Sequence, residues 1–262
     1  MYKTSAVLAL AAATTGASAA DFSAWAFGNM FTVGPASGSS YITKATWSVV
    51  PPAVPSDATN KKSDPPFLSL WIGVSDSISD ENTALVQPLL NWSPDQESQG
   101  CPAAADEWCV DASTYFASGQ VAQPYVEVPK DTRIDFEITA TADKKTTQKV
   151  WIDDKIVSQQ DDDAGWLPTY LYSSNECYQD TCGSVAGYSK LLPPPTPVCS
   201  KALMLTAQKP AWSNITITLS AADKAFGNTL SLTGASGELT TADEGKTWTG
   251  AVKINADHFP AN

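Results

Sequence analysis

An all-β fold, an antiparallel β-sandwich or jelly roll, is what this sequence predicts, on three observations. Short apolar or alternating runs recur between clusters of Pro, Gly, Ser and Asp, the pattern of many strands joined by turns. No stretch of twelve or more residues holds a helical period. Nine Trp and 18 Pro suit a sheet core and its turns better than a helical bundle.

The first nineteen residues stand apart from this pattern. Lys3 is a positive start, residues 6–13 are an apolar run, and Ala17-Ser18-Ala19 is a small-residue cleavage site before Ala20. They read as a secretory signal peptide. The run is too short to span a bilayer and no later segment is longer, so no membrane association is expected after cleavage. Residues 20–262 read as a single domain, with a core at about 40–220 and a C-terminal extension at 221–262.

The strands follow in order. Residues 41–50 (YITKATWSVV) alternate bulky and small or polar side chains, then stop at Pro51-Pro52. Residues 67–74 (FLSLWIGV) are almost wholly apolar, as a strand buried on both faces would be. Between them and residue 92, only residues 84–90 could make a helical turn, and Pro88 limits it. Residues 133–140 place Ile134, Phe136 and Ile138 on one face and Asp135 and Glu137 on the other. Residues 149–152 run to Asp153-Asp154 and return through 155–157, a hairpin. Residues 214–219 alternate again. The proline-rich 191–198 is a loop, and the runs at 230–232 and 247–249 are added strands or a small appendage.

Composition excludes several functions. With 16 Lys and Arg against 28 Asp and Glu, the net charge of −12 offers no footprint for nucleic acid. The one histidine, His258, excludes a His-rich metal site and leaves little for a Ser-His-Asp or Cys-His device. Neither a metal nor a cofactor is expected, and the chain is read as a monomer acting on an extracellular polypeptide or glycan. Any proton transfer falls to carboxylates. Export makes the five cysteines disulfide candidates. Cys101–Cys109 and Cys177–Cys182 are the local pairings; a link from Cys177 or Cys182 to Cys199 is the competitor. Asn214-Ile215-Thr216 is a glycosylation sequon.

The most informative residues are Trp71-Ile72-Gly73 and, after a polar loop, Leu85-Val86-Gln87. An amide projecting from an apolar strand needs a partner, since leaving it unpaired costs about 1–3 kcal/mol. Gln87 either bonds nearby backbone or serves as a donor aimed at a substrate oxygen. Among the acids, Asp161-Asp162-Asp163 matches no calcium loop and reads as a solvated turn. Glu107 beside Trp108 and Glu127 near Tyr125 are an acid–base pair for glycan cleavage in principle, and Trp92 and Trp166 are candidates for stacking on sugars.

The run from Tyr41 to Val50-Pro51, then Trp71-Ile72-Gly73, Leu85-Val86-Gln87, and residues 129–140 (PKDTRIDFEITA) leading into a hairpin, resembles the eqolisins, the fungal glutamic peptidases. It covers roughly residues 40–157, and order and spacing carry it. The resemblance implies a concanavalin A-like sandwich with disulfide-supported loops, secreted and working in acid without a metal. It implies that Gln87 stabilises the tetrahedral intermediate while a Glu activates water and then protonates the leaving amine. That family carries its Glu in a Glu-Trp-Ile-Val-Glu-like strand. The comparable run here, residues 199–208, has no acid, so Glu176 beside Cys177 is the tentative base, with Trp71 and Trp92 as substrate-binding residues.

Overall fold

The computed structural model describes residues 24–59, 64–80, 82–179, 181–188 and 212–259. In chain order the strands are β1 (Trp25–Val33), β2 (Ile42–Val49), β3 (Phe67–Ser75), β4 (Leu85–Val86), β5 (Leu89–Trp92), β6 (Trp108–Asp111), β7 (Ser113–Phe116), β8 (Gly119–Ala122) and β9 (Val126–Val128). The hairpin region gives β10 (Ile134–Ala140), β11 (Lys145–Ile152) and β12 (Lys155–Asp163), followed by β13 (Tyr170–Tyr178) and β14 (Gly183–Val185). The remainder is β15 (Trp212–Leu219), β16 (Ser231–Thr233), β17 (Ala235–Thr240), β18 (Thr247–Ile254) and β19 (Asp257–Phe259).

They form an antiparallel sandwich. One sheet has ten strands in the order β16-β1-β13-β3-β4-β7-β8, with β5 on β3, β6 on β5 and β9 on β6. The other has seven, in the order β12-β11-β10-β2-β15-β18-β17. Both hold because period-two alternation points one row of each strand at the other sheet. From β3 come Leu68, Leu70, Ile72 and Val74; from β10 come Ile134, Phe136 and Ile138, all buried. Trp47 stacks on Phe136 at 5.6 Å, and Trp212 meets Phe136 edge-on at 6.2 Å.

The expected hairpin is β11–β12, turning through Asp153 and Asp154 at φ 50° and 60°. Asp161 to Asp163 lie on β12 and are not a turn: period-two geometry sends Asp162 inward and its neighbours outward. Residues 84–90 are not helical; they supply β4 and β5. The C-terminal segment pairs into both sheets, β18 with β15 and β16 with β1. Cys101–Cys109 and Cys177–Cys182 are bonded, while Cys199, the run 199–208 and the signal segment lie outside the described residues.

Pro88, lacking an N–H, interrupts the ladder that β4 and β5 would otherwise form with β3 as one strand. On the other flank, where β6 passes into β7, side chains of the seven-stranded sheet bond the backbone. Ser158 Oγ accepts from Ala112 N (2.9 Å), and Gln148 Oε1 accepts from Ser113 N (3.0 Å). The Gln148 amide donates in return to Ser113 O (3.0 Å) and Thr114 Oγ (2.8 Å), and Thr114 donates to Asp162 (2.6 Å). Gln148 has no solvent exposure. Gln148→Ala should therefore lower unfolding free energy by about 1–3 kcal/mol in urea denaturation, because the buried Ser113 N loses its acceptor while Ser113 O keeps only the bond from Gln87 N.

Candidate functional site

Alternation on β3 sends Ser69, Trp71, Gly73 and Ser75 to the outer face of the ten-stranded sheet. Its neighbours extend three rows across that face. Glu176 on β13 and Asn91 on β5 flank Ser69; Ser174 and Leu89 flank Trp71; Tyr172 flanks Gly73. On β1, Phe27 lies beside Glu176, Met30 beside Ser174 and Thr32 beside Tyr172.

Gln87 completes the Gly73 row. β4 and β5 share one register against β3 (Val86 on Val74, Leu89 on Trp71), which places Gln87 opposite Gly73. A Cβ on Gly73 would stand 2.6 Å from Leu85 Cδ1, 2.8 Å from Val86 O and 3.0 Å from Gln87 Cβ, so the glycine permits the close approach. Gln87 N donates to Ser113 O at 2.9 Å. The side chain is 6% exposed, and its Oε1 has no hydrogen-bond partner among the described residues.

Glu176 sits within strand β13, braced by the Cys177–Cys182 disulfide, and is not a loop acid. Its Oε2 accepts from Trp71 Nε1 at 2.8 Å. Burial pushes its carboxyl up to about 7, an effect the indole N–H partly offsets. The inward neighbour Asn175 is held at both ends of its amide: Nδ2 donates to Asp257 Oδ2 (2.6 Å) and Oδ1 accepts from the Tyr188 hydroxyl (2.7 Å). Asp257 Oδ2 also accepts from Asn29 N at 2.6 Å.

Glu176 and Gln87 share a face but not a reaction volume. They are two strands and four residues apart. At about 4.8 Å per strand and about 3.3 Å per residue, their Cα atoms stand roughly 16 Å apart, with side chains roughly perpendicular to the sheet. The residue in Gln87's own row on β13 is Tyr172, whose ring meets Trp71 edge-on at 5.5 Å. Burial holds its phenol protonated, with the Ser75 hydroxyl bonded to it.

Sequence reasoning missed Asp111. It lies directly opposite Leu89 and therefore diagonal to Gln87, at the distance where side chains on adjacent strands meet. It is 1% exposed, its Oδ1 has no partner among the described residues, and burial pushes its carboxyl well above the usual range. Burial and the charge of Asp111 push the nearby Tyr125 phenol up in turn. An acid at an outward position of the mostly apolar run Trp108–Asp111 was the available signal.

Other candidates fall elsewhere. Trp92 faces inward, packs in the hydrophobic core at 4% exposure and donates to Ala105 O; it does not line the outer face, because Leu68, its register partner, points inward. Trp166 packs partly buried against the same core. Glu127 is exposed on the edge strand β9, and Glu107 turns back to Ala104 N. Asn214 is exposed at a bulge of β15, with φ 52°. His258, Ser184 and Asp57 do meet: Ser184 Oγ lies 2.9 Å from both Asp57 Oδ2 and His258 Nδ1. The hydroxyl stands in the middle, its proton held by the carboxylate, so the imidazole cannot act as its base in the triad sense. No cluster of three metal-binding side chains occurs among the described residues.

No protein-family model and no curated protein sequence matches the chain. Among solved structures it is similar to scytalido-glutamic peptidase with a peptide-based transition-state analogue (10% identity, 86% of this chain and 96% of that one, TM-score 0.45). It is similar to SCP-B, a member of the eqolisin family, in complex with the tripeptide Ala-Ile-His (10% identity, 86% and 96%, TM-score 0.36). It is also similar to a Bacillus licheniformis β-glucanase (8% identity, 53% of each chain, TM-score 0.31).

The raised carboxyl of Glu176 has a stability consequence. Because its folded value of about 7 lies above the ordinary 4.5, the folded chain binds the proton more tightly than the unfolded one. Stability from this group is complete below about pH 4.5 and is lost as pH rises to about 7, on the order of 3 kcal/mol in all. Urea denaturation across that range should show the decline in the native chain and its absence in Glu176→Gln.

Proposed function

We propose that the chain is a secreted β-sandwich that holds an extended polypeptide against the outer face of its ten-stranded sheet without hydrolysing it. Hydrolysis by the glutamine–carboxylate route needs one water within reach of both groups, the carboxylate to take its proton and the amide to steady the oxyanion. The observation that carries the reading is the surroundings of Gln87. The half-buried Glu176 stands two strands and four residues away, and the adjacent acid, Asp111, is 1% exposed. A tyrosine occupies Gln87's row on β13.

The same face favours a polypeptide over a glycan. Sugar rings stack on open aromatic faces, yet the indole in the middle of this face, Trp71, is 3% exposed. What the face offers is alternating apolar and polar side chains along β1, β13 and β3, with Phe27 48% exposed. Both flanks of β13 are already paired, so recognition falls to side chains and not to an added strand. The signal peptide and two disulfides support secretion.

Incubation of the secreted chain with denatured protein from acid to neutral pH, read by mass spectrometry, should yield no cleavage products that disappear in Gln87→Ala. The immobilised protein should retain unstructured peptides and pass polysaccharides. Turnover that depends on Gln87 overturns this reading in favour of a glutamic-type peptidase. Retention of polysaccharide alone overturns it in favour of a glycan binder.

A further inference from the structure

The end of the outer face nearest the start of β1 carries a carboxyl enclosed by rings. Phe27 lies beside Glu176 on β1, Trp71 donates to it from β3, and Tyr178 is the next outward residue on its own strand. One row beyond, Trp25, Phe67 and Tyr178 form an aromatic trio with centroids 5.0 to 5.2 Å apart. Phe67 and Trp25 are the diagonal neighbours of Glu176 on the two flanking strands. The Trp71 indole is a neutral donor. No Lys, Arg or His stands within ion-pair range of Glu176 among the described residues.

We infer that this ring-walled carboxylate receives the cationic head of a lysine or arginine side chain on the bound polypeptide. The argument is one of complementarity. Ring faces attract ammonium and guanidinium groups, most strongly where water is displaced. A carboxylate in such a setting gains more from a cation than one in open solvent, since the same charge pair acts through a lower dielectric. The aliphatic stem of lysine or arginine suits the half-buried apolar walls, with the charge reaching the acid. The chain's net charge of −12 draws cationic segments toward it. The raised carboxyl is consistent with this: burial without a cation lifts it to about 7, and a bound cation lowers it again.

The inference names the side chain recognised and rests on the proposed peptide binding, but the two fail separately. The probe is an alanine hexapeptide carrying one central lysine, compared with the same peptide carrying arginine or norleucine, by calorimetry. The lysine and arginine peptides should bind about tenfold more tightly than the norleucine peptide. Glu176→Gln, which keeps an acceptor for Trp71, should erase that preference, and Phe27→Ala, which removes a half-exposed ring, should reduce it without unfolding the chain. The preference should grow from about pH 5 to about pH 8 as the carboxyl ionises. The other titratable groups facing it among the described residues are Tyr172 and Tyr178 on β13, with Asp64 accepting from the Tyr178 hydroxyl; β1 and β3 present Trp25, Phe27, Phe67, Ser69 and Trp71, none of which titrates in this range.

Equal affinity for the norleucine peptide, or a preference that survives in Glu176→Gln, overturns the inference while leaving peptide binding intact. Binding of Nα-acetyl-lysine methylamide at Glu176 with no gain from any longer peptide supports the cation site and overturns the extended-polypeptide reading instead.

Discussion

The register between β3 and the proline-interrupted pair β4–β5 is the constraint on which the outer face depends. With period-two geometry, a slip of one residue would send Leu70 and Ile72 to the surface and Trp71 into the core, at the cost of several buried side chains. Pro88 removes a ladder bond on the β3 side, while Gln148 and Ser158 hold the neighbouring β6–β7 junction from the opposite sheet. Gly73 lets the Gln87 backbone approach β3 where any side chain would meet Val86 O. The glycine and the position of Gln87 are two consequences of one pairing.

Charge is distributed unequally over the two sheets. On the seven-stranded sheet, two acids are neutralised at the surface: Glu137 by Lys44, and Asp135 by Arg133 at 2.6 Å. Such exposed pairs contribute little to stability. On the outer face of the ten-stranded sheet, Glu176 and Asp111 have no cation among the described residues and sit where water is scarce. Burial raises both carboxyls above their ordinary range. The two differ in access: Asp111 is closed in, whereas Glu176 keeps part of its surface open.

Strands whose inward positions are apolar were legible in the sequence. The alternation at 134–140 corresponds to β10 in full, and the run at 67–74 to β3. β13 was not legible, because its inward residues are Leu171, Ser173, Asn175 and Cys177, and three of these carry no strong hydrophobic signal. Asn175 is tolerated there only because Asp257 and Tyr188 satisfy its amide, partners that lie 82 and 13 residues away in the chain. The outward direction of Gln87 followed from local alternation, whereas its distance from Glu176 depends on strand order, which places β13 between β1 and β3 across about a hundred residues of sequence. Asp111 was passed over because its significance comes from standing diagonal to Gln87, a relation that exists only once β5 and β6 are paired.

The hold of Asp257 on Asn175 and Asn29 has a consequence for how the molecule comes into being. β1 and β13, which carry the rings and the carboxyl of the outer face, are tied through this one side chain to β19, which follows Asn175 by 82 residues and Asn29 by 228. During synthesis, both strands emerge well before the residue that fastens them. Until Asp257 follows, the Asn175 amide lacks its carboxylate and the first strand its tie to β19, so the outer face is secured later than the strands that build it.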